Sequence, residues 1–298
     1  MKKYLFIPVI LLITACSATT SKLGAIASEQ PIKASISALK SEANKDADGK
    51  LYLEELHALN NSNVNSITLS DHAIVGKKSF RFEVNHGGCG FEDGWSDCEK
   101  QRERAELYYQ WKNDETLETW KQEKWYRFYV FIPQDYNNLS PSKTSLIQWK
   151  GVNPSKNVLV MFQTKDRGLY FNMNGSAFNQ ERWYLIKSDK DMRGKWTEIV
   201  FNTNWHPSAD KGYFKVWIDG QMQVDYKGIA NTYNGKGFSL RYGIYSSYLD
   251  RYRSSTGNTT HPQRVVYFDG VRGDTSCKKV LENEVTCSNL LSQYLKDY

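Results

Sequence analysis

The chain has 298 residues, a formal net charge of +6 and 14% aromatic residues, among them nine Trp and nineteen Tyr. It carries no dense Lys/Arg cluster and no nucleic-acid-binding motif, which argues against a nucleic-acid partner. A mild positive balance rich in Tyr and Trp instead suits a sugar polymer bearing carboxylates or sulfates.

Met1-Lys2-Lys3 precedes an apolar run from Tyr4 to Ile13 and then Thr14-Ala15-Cys16. A short basic region, about ten apolar residues and small residues before a cut describe a secretory signal, too short to span a bilayer as a helix. Leu12-Ile13-Thr14-Ala15-Cys16 resembles a bacterial lipobox. That resemblance implies an exported lipoprotein whose signal occupies residues 1–15 and whose Cys16 is lipidated; Ser17 then favours the outer membrane. The alternative is a periplasmic or secreted protein. The membrane is met only through the lipid anchor, and a monomer is expected.

The other cysteines form two close pairs, Cys89 with Cys98 and Cys277 with Cys287. In an oxidising compartment two local disulfides are the simplest of the three pairings. Each is worth about 2–3 kcal/mol for a loop of roughly ten residues. Neither pair has the spacing and flanking His of a zinc site.

Residues 16–63 read as a polar tether. Within it, Asn44 to Glu55 places oxygen-bearing side chains and Gly49 as in a calcium-binding EF-hand loop, with Asp46, Asp48 and Glu55 as ligand candidates. Asn44 replaces the usual Asp, and no second hand follows, so a polar turn is the competing reading. No cofactor is required; bound calcium would be structural.

From Ser66 onward the pattern is strand after strand. The predicted strands are Ser66–Ser70, Ser79–Val84, Arg104–Gln110, Lys124–Ile132, Thr144–Lys150, Asn157–Lys165 and Gly168–Met173. Arg182–Lys187, Trp196–Asn202, Tyr213–Ile218, Gln221–Tyr226, Phe238–Ser246 and Arg264–Val271 continue them, with Asp219-Gly220 as a hairpin turn. Asn113–Gln122 reads as one short helix. This spacing predicts an all-β fold, a β-sandwich of jelly-roll form over residues 64–275. The tail, 276–298, carries the second cysteine pair and a short helix around Asn289–Leu295.

Three strands carry chemistry. Alternation puts Arg102, Arg104 and Glu106 on one face, opposite Ala105 and Leu107. It sets Leu146, Gln148 and Lys150 opposite Ile147 and Trp149, and Arg241, Gly243 and Tyr245 opposite Tyr242 and Ile244. Gly243 leaves room for a ligand near the backbone. His86 follows an upstream strand, in a loop that a Cys89–Cys98 bridge would stiffen.

A guanidinium fork matches a carboxylate, so these residues suit β-elimination on a uronic acid polymer. Cations and amides hold the sugar carboxylate and stabilise an enolate-like intermediate. A base takes the C5 proton and an acid protonates the departing O4. Tyr245 and His86 are the proton-transfer candidates, each worth ~10²–10⁴-fold. As a base, Tyr245 needs cations such as Arg241 to favour tyrosinate.

Arg104-Ala105-Glu106-Leu107 resembles the Arg-(Ser/Thr)-Glu-Leu strand of jelly-roll alginate lyases. Ile147-Gln148-Trp149 stands where those enzymes carry Gln-(Ile/Val)-His, and Leu240-Arg241-Tyr242-Gly243-Ile244-Tyr245 is similar to their Phe-Lys-Ala-Gly-(Val/Ile)-Tyr. The order and spacing resemble more closely the heparin lyase I-like and glucuronan lyase group of polysaccharide lyases, which share a Val-Trp-(Ile/Val)-(Asp/Asn)-Gly hairpin with Val216–Gly220. This resemblance covers roughly residues 64–273. It implies a concanavalin-like sandwich that cuts glucuronan, alginate or a heparin-like chain, leaving 4,5-unsaturated uronate ends. It further implies Tyr245 as acid and also base, His86 as the second proton-transfer group, and Arg104 and Gln148 as carboxylate neutralisers. Arg102, Glu106, Lys150 and Arg241 become substrate contacts, with Glu106 orienting Arg104. Trp149 departs from the alginate-lyase His, and Ser246-Ser247 from Asn-Gln.

Two other readings stay open. A glycoside hydrolase needs two separated carboxylates, but no Glu-x-Asp-x-x-Glu strand occurs, and Glu106 among arginines is expected to stay ionised. A non-catalytic glycan-binding module would lack the proton-transfer pair. His57, His72, His206 and His261 read as structural or exposed, and Arg251 and Arg253 as a groove wall or a solvated loop.

Overall fold

The computed structural model describes residues 56–58, 60–61, 66–92, 95–109, 121–151, 157–232 and 238–293. Cys16, Asp46, Asp48, Glu55 and nearly all of the predicted helix Asn113–Gln122 lie outside them. The strands are β1 (Leu56–Ala58), β2 (Asn60–Asn61), β3 (Ile67–Ser70), β4 (Ser79–Val84), β5 (Gly90–Glu92) and β6 (Trp95–Ser96). Next come β7 (Arg102–Tyr109), β8 (Glu123–Ile132), β9 (Lys143–Gly151), β10 (Val158–Lys165), β11 (Gly168–Met173) and β12 (Arg182–Ser188). β13 (Lys195–Asn204), β14 (Tyr213–Ile218), β15 (Gln221–Lys227), β16 (Phe238–Ser247) and β17 (Arg264–Asp274) complete them. Each predicted strand is present, its ends moved by a few residues. β1 is a correction: Leu56–Ala58, expected within the tether, pairs with β7 as an edge strand.

Two antiparallel seven-stranded sheets face each other. One has the order β1-β7-β16-β9-β10-β11-β12 and the other β15-β14-β13-β8-β17-β4-β3. Non-consecutive neighbours such as β7 and β16 bring distant segments side by side, which is what a jelly roll does. Inward side chains from both sheets make one core, with Trp149, Phe162, Phe171, Phe201, Trp205 and Phe214 fully buried. In the β14–β15 hairpin Asp219 and Gly220 have φ of 49° and 77°. Both central residues are left-handed, the requirement of the tight turn that matches strand twist.

The tail is helical earlier than expected. Helices α4 (Cys277–Leu281) and α5 (Glu284–Leu291) follow α1 (Gly175–Phe178), α2 (Asp189–Met192) and α3 (Leu249–Thr256) in the chain. The Cys277–Cys287 disulfide ties α4 to α5. Val280, Leu281 and Leu290 cover Trp125 and Trp217, whose rings stack 5.7 Å apart on the outside of the second sheet. The tail therefore buries two tryptophans that would otherwise be an exposed apolar patch.

Candidate active site

β7, β16 and β9 lie side by side, and their register gathers the predicted residues. Tyr245 pairs with Arg104 and Gly243 with Glu106, while Arg241 pairs with Gln148. Arg104, Glu106, Arg241, Tyr245, Gln148 and Lys150 thus share the outer face of the first sheet, because paired residues project to the same side. The Arg104 guanidinium lies over the Tyr245 ring at 4.6 Å. Gln148 Nε2 donates to Glu106 Oε1 at 2.6 Å, and Arg104 Nη1 stands 3.6 Å from Glu106 Oε2.

One bulge corrects the simple alternation, and a second changes the role read for Gly243. The β9–β10 register shifts at Leu146, so that Ile147 pairs with Phe162 and Ser145 with Gln163. Leu146 enters the core, and Ser145 takes the outer-face place predicted for Leu146, accepting from Gln163 Nε2 at 2.7 Å. The second shift lies on β16 between Tyr242 and Tyr245. Gly243 has φ +132°, and a Cβ there would sit 2.3 Å from the Ala105 carbonyl and 2.7 Å from the Phe82 ring. Gly243 therefore makes no room for a ligand. It permits a bulge that turns Tyr242 and Ile244 inward while Arg241 and Tyr245 stay outside.

Charge pairing differs from expectation in a telling way. Asp97, on the loop before β7, accepts from Arg104 Nε and Nη2. The guanidinium fork is thus engaged chiefly by Asp97, with Glu106 as a second, longer ion-pair partner, and Arg104 does not offer the Asp97-bound edge to a sugar acid. Arg241 is half-buried and lies on the same outer face, its Nε donating to Ser239 Oγ at 3.4 Å. Glu106 is 1% exposed. Burial raises its pKa above the usual carboxylate range, outweighing the charges of Arg104, Arg241 and Lys150 and the Gln148 bond. Desolvation, which the arginine-based expectation for Glu106 left out, is the largest influence on it and opposes the neighbouring cations.

Burial likewise pushes the Tyr245 phenol up to about 12, against the pull of Arg104 and Arg102. Arg102 stacks over the Trp95 ring at 4.9 Å. Trp149 points into the core, 4.7 Å from the Phe201 ring, so Lys150 and not Trp149 continues the outer face beyond Gln148.

His86 is not brought to this cluster. Its Nδ1 lies 3.2 Å from His261 Nδ1 and 3.6 Å from Glu103 Oε1. Glu103 alternates with Arg104 and projects to the other side of β7. His261 is buried, and His206 caps a turn by accepting from Ser208 N. Arg253 bonds Gln101 and Arg251 stacks on Tyr248, both on or beside α3.

Sequence reasoning missed Asp97, whose signal was its place beside Cys98, inside the loop closed by the Cys89–Cys98 disulfide. It also missed Gln163 and Asn172, nearly inaccessible amides in register with Ser145 and, through Met161, with Gln148. The carbonyl oxygens of Gln148, Gln163 and Asn172 and Glu106 Oε2 have no hydrogen-bond partner among the described residues. So polar a floor is costly unless a ligand or solvent satisfies it.

Comparison with known proteins bears on the fold and the family. A search of curated proteins found no match. Among solved structures, an endo-β-1,4-glucuronan lyase from the fungus Trichoderma reesei superposes with a TM-score of 0.52 at 17% identity, covering 72% of this chain and 88% of that one. An alginate lyase from Pseudomonas aeruginosa gives 0.46 at 14% identity, covering 70% and 86%. The alginate lyase A1-II', of polysaccharide lyase family 7, gives 0.48 at 11%, covering 70% and 83%. The sequence profile described as polysaccharide lyase matches residues 42–272. With most of its length matched, and a β-sandwich carrying the expected cluster, the chain belongs to the polysaccharide lyase family.

Proposed function

We propose that this lyase cuts a polymer of D-glucuronate or D-mannuronate by β-elimination, with Tyr245 as the only proton-transfer side chain. The supporting observation is the pairing of Tyr245 with Arg104, beside Gln148 and Arg241, while His86 faces Glu103 and His261. Arg241, Lys150 and the second N–H of Gln148 hold the sugar carboxylate. Its charge, withdrawn into these groups, lets C5 give up its proton. Tyrosinate takes that proton, the electron pair forms the C4–C5 double bond, and the C4–O4 bond breaks. The phenol then passes the proton to O4, which restores tyrosinate.

One group serving both steps must reach H5 and O4 from the same side of the ring. In D-glucuronate and D-mannuronate the two lie on one face; in L-guluronate and L-iduronate they lie on opposite faces. The proposal therefore favours the first pair, and glucuronan, the polymer after which the fungal relative is named, is the first to test. Export as a Cys16-anchored lipoprotein would place the enzyme where such polymers are met.

The test is absorbance of the unsaturated-uronate band with glucuronan, polymannuronate, polyguluronate, heparin-type and chondroitin-type chains. Growth on glucuronan or polymannuronate, with none on polyguluronate, is expected. Cleavage of polyguluronate alone overturns the single-tyrosine reading.

A further inference from the structure

We propose that His86, Glu103 and His261 bind a divalent cation of the zinc class, behind β7 and apart from the Arg104–Tyr245 cluster. One donor atom from each of the three lies within 4.8 Å of the others. The separations are 3.2 Å between the two Nδ1 atoms, 2.9 Å from His261 Nδ1 to Glu103 Oε1 and 3.6 Å from His86 Nδ1 to the same oxygen. Donors at zinc-ligand distance on three corners of a tetrahedron stand about 3.3 Å apart. The observed edges bracket that value, and two imidazoles with one carboxylate are a zinc donor set that leaves a fourth corner open.

The surroundings suit a ligand site. Arg264 Nη2 holds the other Glu103 oxygen at 2.5 Å, and Gly87 N–H donates to Oε1 at 2.8 Å. These contacts fix the carboxylate as outer-shell partners do. Side-chain exposure is 3% for Glu103, 2% for His261 and 47% for His86. Two donors are thus locked in place, and the third, His86, stands at the solvent-facing side of the site.

Three features temper the affinity: the His261 backbone N–H already donates to His86 Nδ1 at 3.3 Å, a contact the ion must displace, and two arginines stand close. Arg253 Nη1 lies 3.4 Å from His261 Nε2. With a cation on Nδ1 the proton moves to Nε2, so Arg253 gives up that contact and keeps Gln101. Arg253 and Arg264 also oppose a dication. Binding in the micromolar range, rather than that of a four-ligand structural site, is therefore expected. The ion would staple the loop after β4, the strand β7 and the segment after α3.

The experiment uses untagged full-length protein stripped with chelator and titrated with zinc chloride, followed by calorimetry, elemental analysis and thermal melting. One ion per chain and a melting temperature that rises with zinc and returns with EDTA are expected. His86→Ala, a change at a half-exposed residue, should weaken binding by more than about a hundredfold, since a lost ligand outweighs the 10–100-fold of an outer-shell partner. His206→Ala should bind as the parent does. No uptake, equal uptake by His86→Ala, or loss of the ion from His206→Ala each overturns the site.

Discussion

Asp97 holds Arg104 by two parallel hydrogen bonds and so ties the disulfide-closed loop to the strand that carries the active-site cations. Both side chains are almost fully buried, at 9% for Arg104 and 0% for Asp97. Removing one partner leaves the other charge buried without its match. Asp97→Ala is expected to cost about 3–5 kcal/mol, read as a lower urea midpoint, and to lower turnover by releasing the guanidinium from the Tyr245 ring.

Tyr245→Phe keeps the ring over Arg104 and removes the hydroxyl. Turnover of the cleaved polymer should fall by at least ~10²–10⁴-fold, with polymer binding retained in affinity electrophoresis. Undiminished turnover would sink the mechanism.

The Tyr245 phenol, raised to about 12 by burial against Arg104 and Arg102, is protonated at neutral pH. Tyrosinate grows about tenfold per pH unit below that value, so kcat/KM should climb with unit slope from pH ~7 to ~10. Stability runs the other way. A folded-state pKa above the ordinary ~10 contributes stability that is present below that value and lost as pH rises through the folded value. A flat profile over this range would mean that Tyr245 is not the base.

Reduction of Cys89–Cys98 frees the loop that carries Asp97. The Cys89→Ser/Cys98→Ser variant should lose about 2–3 kcal/mol of stability and part of its activity together. Cys277→Ser/Cys287→Ser, which loosens only the helical cover on Trp125 and Trp217, should lose stability and keep kcat in the folded fraction. Equal kcat losses in both variants would separate the first bridge from the site.

Gly243→Ala forces a Cβ to 2.3 Å from the Ala105 carbonyl at φ +132°. At least about 1–3 kcal/mol is expected to be lost, with the β16 bulge disrupted and activity falling along with the melting temperature. A melting temperature equal to the parent's would show that the bulge relaxes freely.

What could be read from the amino acids alone is whatever depends on near neighbours. Period-two alternation located the strands, and it set Arg102, Arg104 and Glu106 apart from Ala105 and Leu107, because adjacent Cβ atoms in a strand point to opposite faces. The close cysteine spacing and the Asp219-Gly220 turn are equally local. The folded molecule alone decided which strands lie side by side, and therefore that Arg104, Gln148 and Tyr245 meet. It also decided that Leu146 turns inward at a bulge, that Asp97 rather than Glu106 takes the Arg104 fork, and that His86 joins Glu103 and His261 behind the strand. Those outcomes, like the raised pKa of Glu106 and Tyr245, rest on pairing register and desolvation. Both are set by contacts between segments far apart in the chain, which no local periodicity encodes.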